Sequence, residues 1–159
     1  MLREIVSSAS DDIQALCHPA LVALARHWQS LHREGALPRR RDIRPAEIVA
    51  AMPYVALIDV VTHEPLVMTF RLVGTELVRW LGHDHTGRSV EDAYAMDVGP
   101  GWHRVVPEYA RAVRDRSPAR RFHAGSRSNG LSFRYERILL PLSSDGSTVD
   151  GLLMGLVPA

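Results

Sequence analysis

The apolar periodicity of this chain predicts an α+β fold with an antiparallel sheet. Three observations carry that expectation. Helical periods fill the first third, from Asp11 to Gly35. Two strand-like runs then follow, joined by the tight turn His63-Glu64-Pro65. Three more close the chain, linked by the hairpin turns Ser126–Gly130 and Ser143–Ser147. Strands segregated from helices, with tight turns between them, favour antiparallel pairing over a crossover sheet.

The elements follow in order. Asp11 and Asp12 are placed to cap a first turn, with Ile13, Leu16 and Cys17 on one face. Pro19 suits a helix start, where its missing N–H is not needed. Leu21, Leu24, Trp28 and Leu31 then recur at three- and four-residue steps, and Gly35 is a stop signal. That stripe packs either on its own domain or on a second copy. Leu37–Asp42 is a basic, extended connector, and Pro45–Ala51 reads as a short helix closed by Pro53. Tyr54–Val61 and Val67–Val73 read as paired strands. Gly74 turns the chain into a short helix, Glu76 to Leu81, stopped at Gly82, and Gly87 marks another turn. Ser89–Tyr94 is a helical turn, and Trp102–Arg116 is a second long helix. Within it Pro107 marks either the true start or a kink. Ala119–Gly125, Leu131–Leu142 and Val149–Val157 are the last strands. One sheet face must be covered by the middle helices, leaving the other to the N-terminal helix.

Composition narrows the function classes. The hydrophobic fraction of 46% and charged fraction of 23% are ordinary for a globular domain. All 19 basic residues are arginine, a bias that points to a GC-rich, bacterial source. The net charge of +1 gives no argument for nucleic acid. A single cysteine, Cys17, forbids a disulfide within the chain and suggests a reducing, cytoplasmic setting. No run approaches the length of a membrane helix, so no membrane partner is expected.

Three stretches together resemble the PAS domains, in particular the bacterial single-domain PAS family. They are Leu37-Pro38 through Asp42-Ile43-Arg44-Pro45; Phe70–Thr75 with Gly82 and Thr86-Gly87-Arg88; and Tyr135–Leu142 followed by Asp145-Gly146. The resemblance spans roughly Trp28 to Val157. It implies a PAS fold: a five-stranded antiparallel sheet with helices on one face and an N-terminal helix outside the core that often supports dimerisation. It divides the chain into an N-terminal helical cap, residues 1–36, and a PAS domain, residues 37–159. One position departs from the family pattern: His85 stands where an apolar residue is usual.

PAS scaffolds hold flavin, haem, a covalent chromophore, a small metabolite or nothing, and the sequence leaves the cofactor unknown. A flavin photosensor needs a reactive cysteine in the core helices, and Cys17 lies outside them. His103 is the candidate haem ligand, with a solvent-facing histidine as the alternative. His83 and His85, flanking Asp84, resemble a metal clip, although no second cluster accompanies them. Trp80, Tyr94, Trp102 and Tyr109 fall in segments that line a PAS cavity, or they fill the core. Arg71 and Arg137 lie inside strand motifs. Strict alternation puts Met68, Phe70 and Leu72 on one face and Arg71 on the other. Arg71 then enters a polar ligand pocket, or lies on the outer face and pairs with an acid such as Glu34 or Glu136. Arg39-Arg40-Arg41 with Arg44, and Arg111, Arg114, Arg116, Arg120 and Arg121, form two basic surfaces. Leu21, Leu24, Trp28 and Leu31 are the candidate dimer interface.

Catalysis has little support, because no phosphate loop, nucleophile elbow or zinc-protease helix is present. His123, Tyr135 and Glu136 are the nearest polar candidates for an enzyme, and none is expected. The resulting expectation is a dimeric sensory or adaptor protein that binds a small molecule or partner and acts on a separate signalling protein. The alternative is a ligand-free homodimeric interaction module.

Overall fold

A computed structural model describes residues 12–98, 103–127 and 129–159. Its centre is a five-stranded antiparallel sheet of order β2-β1-β5-β4-β3. The strands are β1 (Val55–His63), β2 (Leu66–Val73), β3 (Ala119–Ser126), β4 (Ser132–Leu142) and β5 (Gly151–Pro158). Among the described residues it is flanked by the helices α1 (Pro19–Ser30), α2 (Thr75–Leu81), α3 (Val90–Val98) and α4 (Val106–Asp115).

The strands alternate two sets of side chains. On β5, Met154 and Leu156 face α2 and α3, while Gly155 lies under α1. A Cβ on Gly155 would sit 2.6 Å from Leu21 and 2.7 Å from Leu24, so the missing side chain is what lets α1 lie flat on the sheet. Leu21, Leu24 and Trp28 are buried there, and the Trp28 indole donates to the Pro141 carbonyl at 2.8 Å. This corrects the expected dimer interface. Three of its four residues are already covered by the chain's own sheet, and Leu31 alone keeps partial exposure. The helix also ends at Ser30, before Gly35, which serves a later turn with φ of 78°.

Two expected helices change. Pro45–Ala51 forms only the 3-10 turn Pro45–Glu47, and another follows at Met52–Tyr54. The long middle helix begins at Val106, because Pro107 occupies its first turn, where no N–H is required. Trp102 lies outside the described residues.

The β1–β2 register skips Arg71: Leu57 faces Leu72, and Ile58 faces Phe70. The extra residue inverts the alternation. Phe70 and Val73 therefore both point toward the helices, while Leu72 turns outward and is 42% exposed. The open edge of β2 is partly covered by the following loop. Phe70 N–H donates to Arg88 O at 2.9 Å, and Gly87 N–H donates to Phe70 O at 2.7 Å. Those bonds pull the loop inward and bury His85.

Candidate ligand cavity

A cavity lies between α2, α3 and the helix-facing side of the sheet. Phe70 and Val73 of β2, Leu77, Trp80 and Leu81 of α2, and Met154 and Leu156 of β5 give it an apolar wall. Phe133 and Tyr135 of β4 complete that wall. The rings interlock: Trp80 meets Phe133 at 6.1 Å and Tyr135 at 5.9 Å, both edge to face, while Phe133 and Tyr135 stack at 5.8 Å.

The polar groups are few. His85 and Asp97 join across the cavity through a contact of 2.8 Å from Nε2 to Oδ2. The family-atypical histidine thus packs inward because α3 supplies a carboxylate for it. Its Nδ1 is buried without a partner. Arg127, just beyond β3, donates to the Trp80 carbonyl at 2.6 Å and lies 5.1 Å from the Trp80 ring centroid. A cation at the C-terminal carbonyls of α2 meets the negative end of the helix dipole, so Arg127 straps α2 to the sheet. The Tyr135 hydroxyl is buried and also lacks a partner. Burial pushes its pKa far above the ordinary phenol value, so it stays a neutral donor.

Behind Tyr135, on the same face of β4, lies Arg137. It is fully buried, with its guanidinium 4.8 Å from the Tyr109 ring centroid. One of its nitrogens pairs with Glu108, which also pairs with Arg121. Its Nε and Nη1 have no partner. Burial opposes its charge, but the phenols of Tyr109, Tyr94 and Tyr135 and the Glu108 carboxylate outweigh that, and its acidity falls further. His123, beside Tyr135, is pushed below its ordinary value by burial and by Arg121 and Arg137. The neutral ring accepts from Arg121 at 3.1 Å.

Several expected site residues find their places here. Trp80 and Tyr94 line the cavity. Tyr109 lies one step behind, its hydroxyl 2.5 Å from that of Tyr94. Arg71 is corrected: it sits at the bulge, exposed, and bonds Asp59 at 3.1 Å rather than a ligand, Glu34 or Glu136. Asp59 also holds Arg40. His103 is exposed and forms no part of the cavity wall. His83 is exposed beside buried His85, and no cluster of three metal-ligating side chains occurs among the described residues. Tyr135 and Glu136 point to opposite faces; Glu136 accepts the Cys17 N–H at 2.8 Å and pairs with Arg120. They therefore do not converge with His123. Many of the basic residues are engaged internally: Arg39 with Asp42, Arg44 with Glu47, Arg121 with Glu108 and Arg116 with the Gly146 carbonyl. Arg127 and Asp97 were missed. Asp97 had no visible partner until His85 folded onto it, and Arg127 read only as part of a turn.

The space open to water centres is about 50 Å³. Pockets for cofactor-sized ligands run to ~300 Å³ and above. The wall contains no cysteine, and Cys17 is exposed before α1. As arranged, these residues do not fit a flavin.

Comparison with solved structures finds light-oxygen-voltage (LOV) domains. One, studied with a flavin analogue, is 13% identical with a TM-score of 0.53, over 72% of this chain and 82% of that one. The LOV protein of Rhodobacter sphaeroides is 13% identical with a TM-score of 0.52, over 86% and 66%. The dark structure of the blue-light photoreceptor Aureochrome1 LOV is 15% identical with a TM-score of 0.52, over 70% and 78%. At such identities these likenesses speak for the fold alone. Comparison with curated proteins finds no match. The family model described as PAS domain matches residues 16–157, which takes in α1 as well as the sheet. This chain belongs to the PAS domain family.

Proposed function

We propose that this PAS domain is a cytoplasmic sensory module whose cavity takes a small molecule and which signals to a separate protein. The observation that carries the reading is the cavity itself, walled mainly by aromatic and aliphatic side chains, with the Tyr135 hydroxyl buried and unpartnered beside it. Concave, mostly apolar spaces of this kind are where small molecules bind.

Transmission follows from strand alternation. Met154 and Leu156 touch the cavity, and Gly155 between them carries Leu21 and Leu24 of α1. A ligand that favours one position of β5 therefore also favours one seating of α1. The shift is limited to the ligand's differential affinity for the two seatings. The outward face of α1, with Arg26, Gln29 and Ser30, is what a partner would read. Self-association belongs to the same proposal, through a surface other than the buried α1 stripe.

The test has two parts. Denaturing mass spectrometry of the purified protein looks for a retained molecule, and methyl NMR follows Met154 and Leu156 during a small-molecule screen. Retained mass, or shifts at these methyls that spread to Leu21 and Leu24, supports the reading. No retained mass and unmoved cavity methyls sink it. In that case the small cavity volume favours the second reading, a ligand-free interaction module.

A further inference from the structure

The polar groups in the cavity wall are already engaged. Asp97 meets His85 at 2.8 Å. Arg127 donates to the carbonyls of Trp80 at 2.6 Å and Leu81 at 3.5 Å. The Tyr94 hydroxyl is taken by that of Tyr109 at 2.5 Å. The Tyr135 hydroxyl and His85 Nδ1 have no partner, but both are buried and present no surface to the open space. What the wall offers a ligand is therefore mainly the carbon of Phe70, Leu77, Trp80, Phe133 and Leu156. Charge gives the same answer. The wall holds the Asp97 carboxylate and the Arg127 guanidinium, of opposite sign and each with its own partner. A ligand of either charge would leave water and find no free counter-charge. A hydroxyl or amide would likewise give up its water for no open donor or acceptor. An apolar molecule gives up no such bonds, and burying its surface is favourable.

Volume sets the size. Each water needs roughly 10–15 Å³ of centre-accessible space, and an engineered apolar cavity of ~150 Å³ holds benzene. The 50 Å³ here therefore matches about three to five non-hydrogen atoms, fewer than a benzene ring. Ala93 of α3, buried in the wall, leaves part of that space open because its side chain is a single carbon.

We infer that the cavity's ligand is an uncharged, apolar molecule of about three to five non-hydrogen atoms, a small hydrocarbon. It rests among Phe70, Leu77, Trp80, Phe133 and Leu156 and is selected by what it lacks, since any polar group on it would lose its water without replacement. This rests on the reading that the cavity takes a small molecule.

The experiment is a methyl NMR titration of the full chain with propane under pressure and, at equal heavy-atom count, with ethanol, formate and ethylammonium, at constant ionic strength. The inference expects propane to shift Leu77, Met154 and Leu156 and to bind at least about tenfold tighter than ethanol. Neither ion should give a saturable shift at these methyls. Benzene should bind more weakly than propane to the wild type, and Leu156→Ala should reverse that order by enlarging the space. Ala93→Leu, or the milder Ala93→Val if leucine prevents folding, should weaken propane several-fold while the amide spectrum stays folded. Ethanol matching propane, or either ion binding as tightly, overturns the inference and leaves the cavity reading standing. A charged molecule retained through purification does the same. Propane shifts unchanged in the folded Ala93 variant also overturn it, and benzene binding tighter than propane to the wild type overturns the stated size. If no probe binds, the inference falls; the cavity reading falls with it only when mass spectrometry also finds no retained molecule.

Discussion

Gly74 joins β2 to α2, and its backbone, with φ of −65° and ψ of 154°, is open to any residue. What excludes a side chain is space. A Cβ there would lie 2.4 Å from the Pro53 carbonyl oxygen, 2.7 Å from its carbon and 2.8 Å from the Met52 carbonyl oxygen. All three are backbone atoms, so no rotamer change relieves them. The Gly74 N–H also donates to Val55 O at 2.7 Å, which holds the two segments together. The shift needed to clear Pro53 is on the order of 0.6–1 Å, and overpacking of this kind costs about 1–3 kcal/mol. A backbone clash belongs at the upper end, so Gly74→Ala should lose about 3 kcal/mol. That corresponds to a fall in Tm of roughly 6–12 °C for a chain of this length. Urea unfolding followed by circular dichroism measures it. Gly74→Ser separates sterics from capping. Serine is a good helix N-cap, so a capping account predicts no loss, whereas the steric account predicts a loss equal to that of alanine. Gly82 gives the contrast. Its φ is 81° and nothing lies within 4 Å of its added Cβ. There alanine should cost about 1–2 kcal/mol and asparagine less, because asparagine tolerates the left-handed region. A Gly74→Ser protein as stable as the wild type would refute the reasoning.

Trp28→Phe should keep α1 on the sheet but leave the Pro141 carbonyl without its 2.8 Å indole partner. A loss of about 1–3 kcal/mol in urea is expected, and a change under 0.5 kcal/mol would show the bond to be dispensable. Glu108→Gln removes the carboxylate shared by Arg121 and buried Arg137. Because Glu108 keeps some solvent, the loss should be about 2–3 kcal/mol, below the 3–5 of a fully buried pair. An unchanged midpoint would mean water already satisfies Arg137. Asp145 in the β4–β5 turn is held at about 2 by the N–H groups of Ser147 and Thr148 and the Ser143 hydroxyl. Its folded value lies below the ordinary 3.8. Its contribution is therefore complete above that value and is lost as pH falls toward 2. Asp145→Ala should be less stable than wild type near neutral pH, with the gap closing in urea titrations below pH 4. A gap that widens on acidification would contradict the sign.

The strands and helices were legible because their periods are local. β1, β2, β3 and β4 begin within a residue of where alternation placed them, and β5 lies within two. Arg71 shows where that reading ends. A single skipped residue at the bulge sent it to Asp59 and turned Val73 inward, and pattern alone carries no sign of a bulge. The α1 stripe was equally clear, yet the same stripe fits its own sheet or a second copy. Only Gly155, more than a hundred residues later in the chain, decides between them.

The sequence by itself determined the α+β class, the helix start at Pro19, the stop at Gly82, the turn at Gly87 and the family motifs, and it left Pro107 as either a start or a kink. Those follow from neighbouring residues acting on one backbone. The tertiary structure decided which polar groups share the cavity. His85 met Asp97 through a loop folded onto the β2 edge, Arg127 reached α2 from the end of β3, and Arg137 was left fully buried with unpartnered nitrogens behind Tyr135. Contacts between residues so far apart in the chain depend on how the sheet curves and which elements cover it. No local pattern encodes them.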